Sequence, residues 1–203
     1  FAEAVQGVQE TLAGTGYQLL IASSNYDGDA DNEAIATLVG KEVDGLIVTM
    51  VAPDRSAALK QARASGLPVS LMFHDPLEGF VTAYVDNFEA AREVARRLAD
   101  LGHRRTAFLS LRFSSSDRPR NRHAGFHAEC RARGLPDPAL IELGEAEANT
   151  PEVLAEILAP LGGLTAIFAS NDFLAIAVQK AARLIGKQVP GDLSVVGFDG
   201  IEI

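Results

Sequence analysis

The stretch Leu164-Thr165-Ala166-Ile167-Phe168-Ala169-Ser170-Asn171-Asp172, followed by a helical run to Gly186 and then by Leu193-Ser194-Val195-Val196-Gly197-Phe198, decides the fold. Residues 164–169 form a short continuous apolar run, as in a strand covered on both faces. Ser170 or Asn171 offers an N-cap oxygen, and Phe173, Leu174, Ile176, Ala177, Val178, Ala181 and Leu184 recur at helical spacing over 171–186. Gly186 stands where a left-handed residue would end that helix. The apolar run 193–198 completes strand, helix, strand, an order that favours parallel pairing with a right-handed crossover.

Outward from there the same alternation fills the chain. Strands are expected at 17–22, 44–49, 67–73, 81–85, 105–111 and 140–143, besides the two above. Helices are expected at about 1–14, 31–40, 54–65, 87–101, 121–134 and 151–160. Gly66, Gly102 and Gly134 follow helical stretches as terminators, while Asp86 or Asn87, and Asn149 or Thr150, supply caps. The fold class is α/β, with doubly wound parallel sheets. Residues 74–88 are loop-rich and hold a short strand that no helix precedes. They read as a crossing between two lobes, 1–85 and 86–203. No fixed-period repeat, low-complexity tract or flexible linker interrupts this pattern.

At 203 residues the chain suffices for one large domain, or for two lobes of about 100 residues each. Apolar residues make up 47% and charged residues 22%, a soluble globular balance. No apolar run approaches the roughly 18 residues of a membrane span. The formal charge of -9 disfavours phosphate backbones, so contact with DNA must come from residues outside this chain. Cys130 is the single cysteine, which excludes an internal disulfide and fits a reducing, cytoplasmic compartment.

In open parallel sheets, ligands bind beyond the carboxyl ends of the strands. That rule selects Ser23, Ser24, Asn25 and Tyr26, then His74 and Asp75, the run from Ser114 to Arg122, Asn171 and Asp172, and Asp199. Carboxylates, amides and an arginine suit a neutral polyol or sugar, whose hydroxyls donate and accept hydrogen bonds. The plainer alternative is that Asn171 and Asp172 cap a helix and that Asp75 and Asp199 form turns. Arg122 lies early in its expected helix, where the dipole disfavours a cation, so it needs a partner; a surface ion pair would serve as well as a ligand.

Other chemistry finds less support. His123, His127 and Cys130 share one helical face with zinc-like donors, but histidines with a cysteine often simply pack. Asp27, Asp29 and Asp31 imitate the start of a calcium loop whose sixth and twelfth positions, Asn32 and Leu38, do not fit. Nucleophile elbows, zincin helices, phosphate loops and dinucleotide turns do not occur. His103-Arg104-Arg105 lies between a helix-ending glycine and a strand and reads as a structural corner. No catalytic residue, metal or cofactor is expected.

Several stretches resemble the sensing domain of the LacI/GalR family, in order and over nearly the whole chain. They are Val43-Asp44-Gly45-Leu46-Ile47-Val48, Gly66-Leu67-Pro68-Val69, Val85-Asp86-Asn87 and Leu101-Gly102-His103-Arg104-Arg105-Thr106-Ala107-Phe108. Arg122-His123-Ala124-Gly125-Phe126, Ala166-Ile167-Phe168-Ala169-Ser170-Asn171-Asp172 and Val189-Pro190-Gly191-Asp192-Leu193-Ser194-Val195-Val196-Gly197-Phe198-Asp199 follow. The resemblance implies two similar lobes of the type I periplasmic-binding-protein kind, truncated here at both ends, with an effector cleft between them. It also implies a homodimer, and operator DNA bound through an N-terminal helix-turn-helix absent from this chain, with no membrane partner. The protein would be a regulator, most simply a repressor, and not an enzyme.

By motif, the resemblance makes Arg122, Asn171 and Asp199 effector-binding residues, with Asp75 as the acid after the third strand. Gly200 replaces the second acid of the usual Phe-Asp-Asp turn, and Ala146 lies near where some members place an aromatic over the sugar. Helix 171–186 is apolar over more than one stripe, which suits a dimer face or a central core helix. A periplasmic sugar-binding protein of a transporter is the competing reading, and an enzyme on the same sheet a third.

Overall fold

A computed structural model describes residues 2–24 and 27–201. Its contacts divide the chain into two compact units that meet between Leu71 and Met72. No described helix is long and apolar enough to cross a membrane.

The first unit contains α1 (Ala2–Leu12), α2 (Gly28–Gly40), β1 (Leu46–Val48), α3 (Ala57–Ala64) and most of β2 (Val69–Met72). β1 and β2 run parallel, with Leu46 opposite Val69 and Val48 opposite Leu71. Side-chain caps start the helices: Asp27 accepts from the N–H groups of Asp29 and Ala30, and Ser56 from that of Leu59. Asp31 is buried and accepts from the Val51 N–H at 3.0 Å and the Ser24 hydroxyl at 2.5 Å. Two of the calcium-like aspartates, Asp27 and Asp31, are thus used in capping and in fastening the chain after β1.

The strand expected at 17–22 does not form. That backbone has no ladder among the described residues, and Tyr17, Leu20 and Ile21 are exposed at 59, 52 and 67%. An apolar alternation can propose a strand, but only a neighbour supplies the hydrogen bonds that make one.

The second unit contains β3 (Val81–Ala83), which is third in the sheet β1-β2-β3, then α4 (Asn87–Asp100), β4 (Thr106–Leu111) and a 3-10 turn at Phe113–Ser115. It continues with α5 (Asp117–Ala132), β5 (Ala139–Leu143), α6 (Glu145–Ala148), α7 (Pro151–Leu158), β6 (Ala166–Ala169), α8 (Asp172–Leu184) and β7 (Ser194–Val196). The second sheet has the order β5-β4-β6-β7, and every pair is parallel.

Strand periodicity divides its core in two. Ala107, Leu109, Ile167 and Ala169 point to one face, where Leu154 and Leu158 of α7 and Leu174 and Val178 of α8 cover them. Phe108, Ala166 and Phe168 point to the other, against Ala91, Ala95 and Leu98 of α4 and Phe126 and Cys130 of α5. Helices on both faces explain why these strands are apolar throughout, and they make the sheet doubly wound. The chain steps from β4 to β5 on one side, then returns past β4 to β6 and β7 on the other. The switch point therefore lies between the carboxyl ends of β4 and β6.

Several boundaries move from expectation. α5 begins at Asp117, about four residues early, because Ser116 accepts from the Arg118 N–H and Pro119 falls in the first turn, where its missing N–H costs nothing. Thr150 is the N-cap of α7 without a side-chain cap bond; its hydroxyl donates to the Ala146 carbonyl at 2.8 Å. Gly102 and Gly186, at φ 92° and 72°, end α4 and α8 in the left-handed conformation.

Candidate functional site at the ends of β4 and β6

β4 ends at Leu111 and leads through the 3-10 turn into α5, which carries Arg122 in its second turn. Arg122 thus stands beyond the first turn, where the helix dipole weighs most, and its demand for a partner comes instead from burial, at 9% exposure. Nε donates to Asn87 Oδ1 at 2.8 Å, and Nη1 donates to the Ser170 carbonyl. The guanidinium carbon lies 3.5 Å from the centroid of the Phe198 ring, close enough for a cation–π contact. Nη2 faces Asp199 Oδ1 at 3.7 Å. Burial pulls the arginine down to about 10, with Arg118 adding to the shift and Asp199 opposing it.

Asp199 follows β7 with φ 109°, a positive value that a side chain seldom adopts. The turn is clamped by Asp172: one carboxylate oxygen accepts from the Ile201 N–H at 2.8 Å, and the other lies 2.1 Å from where a Cβ on Gly197 would stand. Any side chain at 197 would collide with the clamp. The Asp199 side chain remains 44% exposed, and burial pushes its carboxyl above the usual range while Arg122 pulls the other way.

Asn171 sits at the end of β6 as the N-cap of α8, its Oδ1 accepting from the Leu174 N–H at 2.9 Å. The capping role anticipated for it is therefore present, and its amide Nδ2 is the atom left to address a ligand. Asp75 accepts from Asn121 Nδ2 at 2.5 Å, beside Arg122 in sequence. Burial, then Asp117 and Asp86, push its carboxyl up against the pull of Asn121 and His74. The neighbouring His74 is buried, with Nδ1 3.3 Å from Asp117 Oδ2. Burial raises the Asp117 carboxyl, yet the His74 contact outweighs it and holds the group below the usual range.

Arg122 and Asp199 are thus in contact, Asn171 adjoins them through the Ser170 carbonyl, and Asp75 is fixed by α5. Asn25 and Tyr26 lie outside the described residues. Ser24 is engaged with Asp31. Sequence reasoning missed Asn87 and Phe198 as partners of Arg122. Asn87 had appeared as a helix cap and in the Val85-Asp86-Asn87 stretch, and Phe198 as a strand residue before the Phe-Asp turn, but nothing local pairs either with a helix elsewhere in the chain.

The zinc-like face has other engagements. His127 Nε2 lies 3.1 Å from Asp137 Oδ1, and the His123 ring packs at a tilt against Phe108 and Phe113, with centroids 5.3 and 5.7 Å away. Cys130 is buried, which pushes its thiol up. A fixed guanidinium edge beside a half-exposed carboxylate presents donors and acceptors a few ångströms apart, the pattern that neighbouring hydroxyls require.

Fold and site together define a doubly wound α/β module with its polar groups gathered at the switch point. Residues 95–203 match the profile of the periplasmic binding protein-like domain. The chain is 32% identical over 203 residues to the HTH-type transcriptional regulator DegA of Bacillus subtilis (strain 168), covering 98% of this chain and 60% of that protein. It is 27% identical over 206 residues to the HTH-type transcriptional regulator GntR of Escherichia coli (strain K12), covering 100% and 61%. The crystal structure of transcription regulator GntR from Chromobacterium violaceum superposes with a TM-score of 0.86 at 24% identity, over 99% of this chain and 74% of that one. The chain belongs to the family of periplasmic binding protein-like domains. It spans about 60% of the length of the curated relatives it matches, and those relatives are named as regulators and not as enzymes.

Proposed function

We propose that this chain is the effector-sensing domain of a LacI-type transcriptional regulator, most simply a repressor, that binds a small sugar-like or polyol effector through Arg122, Asn171, Asp199 and Asp75. The observation that carries this reading is the held guanidinium of Arg122 facing Asp199 at 3.7 Å. Both lie at the switch point where open sheets take ligands. The named regulators among its relatives support the DNA-bound function, and the acidic balance of the chain favours operator contact through a helix-turn-helix and not through this domain. Nothing specific favours the transporter alternative. The lobes are 1–85 and 86–203, a division supported by the membership of β3 in the first sheet. The protein acts as a homodimer in the cytoplasm, and effector binding biases its DNA affinity through differential affinity for two conformations.

A thermal-shift screen of the chain against sugars, sugar phosphates, polyols and nucleosides tests this. The expected result is a compound class that raises the melting temperature. Arg122→Ala or Asp199→Ala should then weaken binding by about 2 to 4 kcal/mol, since the first removes the buried charged donor and the second leaves that buried guanidinium edge without its carboxylate. A panel without a hit, or wild-type affinity in both variants, overturns the reading.

A further inference from the structure

We infer that Asn87 and Gly125 are positioning residues for Arg122: Gly125 lets the first turn of α4 lie against α5, and Asn87 locks Nε so that a single edge of the guanidinium is offered outward. The functional consequence rests on the effector reading of Arg122, whereas the geometry stands apart from it.

Asn87 is 3% exposed and its amide is engaged at both ends. Oδ1 accepts from Arg122 Nε at 2.8 Å, and Nδ2 donates to the Val85 carbonyl at 3.0 Å. The second bond prevents the amide from turning its donor towards the arginine, where it would meet another donor. The first bond, with the Ser170 carbonyl on Nη1 and the Phe198 ring beneath the plane, holds the guanidinium from three directions. The Nη2 edge remains, and it is the one facing Asp199. Because Asn87 is neutral, it orients the cation without cancelling it, leaving the charge to Asp199 and to whatever binds beside it.

A short amide can reach Nε only if the two helices approach closely, and Gly125 is where they do. A Cβ there would stand 2.1 Å from the Phe88 carbonyl oxygen, 2.8 Å from its carbon and 3.0 Å from its Cα. These are backbone atoms of the residue after Asn87, so no rotamer change relieves the collision. Gly125 lies three residues beyond Arg122 and therefore on the same face of α5. The spacing Arg122-x-x-Gly125 is the requirement of one contact: the glycine admits α4, and α4 delivers the asparagine. Through the Val85 carbonyl, the orientation of Arg122 is also tied to the chain between β3 and α4.

The test is the arginine side-chain 1H–15N spectrum of the chain without any ligand. Wild type should show a slowly exchanging Nε–H resonance that Arg122→Lys removes. In Asn87→Leu, which keeps the branching at Cγ but has no acceptor, that proton should exchange about tenfold faster or more. In Asn87→Asp, which keeps Oδ1, protection should persist. Gly125→Ala should reproduce the loss seen in Asn87→Leu. A purely structural role for Asn87 would instead leave exchange unchanged in Asn87→Leu, or abolish protection in the Asp and Leu variants alike, and either result overturns the inference. So does the absence of a protected Arg122 Nε–H in wild type, a measurement that needs no variant to fold. No effector enters this experiment, so its failure is distinct from a failure of the effector screen.

Discussion

Arg122 carries its charge into a position that is 9% exposed, and a cation placed there must be compensated from several sides. The compensation comes from an amide, a carbonyl, an aromatic face and a carboxylate, contributed by three separate parts of the chain. Nearby, two carboxylates respond to their surroundings in opposite directions. Asp117 is held below its ordinary value beside His74, so it stabilises the fold above that value, and the contribution is lost as pH falls through it. Asp75 is pushed up, so its ionised form costs stability at neutral pH, and the cost disappears on acidification below the ordinary carboxylate value. In urea denaturation at pH 7, Asp117→Asn should lose about 1 kcal/mol. Asp75→Asn should gain up to about 0.5 kcal/mol after screening. Both differences should shrink towards pH 3, and equal slopes against pH in the two variants would contradict this assignment.

The elements show how tightly this site depends on helix packing. α4 and α5 share the face of the second sheet that holds Phe108, Phe126 and Phe168, whose rings meet at 5.2 to 6.3 Å. Glu129 of α5 is nearly buried among Arg92 and Arg96 of α4 and Arg133, joining the outer sides of the two helices. Between the aromatic and ionic contacts lies the Gly125 approach, which a methyl group would obstruct. Gly125→Ala should therefore destabilise the fold by about 1 to 3 kcal/mol, as overpacking does, despite the better helix propensity of alanine. A chemical-denaturation midpoint at or above wild type would show that α4 can move aside. At the opposite ends of the strands, His103 Nδ1 lies 2.9 Å from the Thr165 hydroxyl, and the Thr165 N–H donates to the Arg105 carbonyl at 3.0 Å. The basic triplet is thus a corner that joins the entries of β4 and β6.

On the scale of the whole molecule, α8 has two different sides. Leu174, Val178, Ala181 and Ala182 are buried against the sheet, whereas Phe173 and Leu184 stand 72 and 57% exposed. In the dimer proposed above, this outward side of α8 is where a second copy would meet the helix. Phe173→Lys should weaken self-association by about tenfold or more if that ring is a contact of substance. Sedimentation equilibrium would show it as a shift towards monomer. An unchanged association constant would assign α8 to the core alone.

The alternation of apolar runs, the helix-ending glycines and the caps at Asp86 and Asn171 were legible in the sequence because each depends on residues close along the chain. The candidate positions Arg122, Asn171 and Asp199 were legible for a related reason: they follow the carboxyl ends of strands, and strand ends can be read locally. The tertiary structure decided what depends on distant partners. Residues 17–22 have a strand's composition but no ladder among the described residues. Asn87 meets Arg122 across 35 positions of sequence. The reason for Gly125 lies in the backbone of another helix, at Phe88. Local pattern determines which elements the chain can form, whereas hydrogen bonds and van der Waals contacts that close only on packing determine which of them persist and how the arginine of the site is aimed.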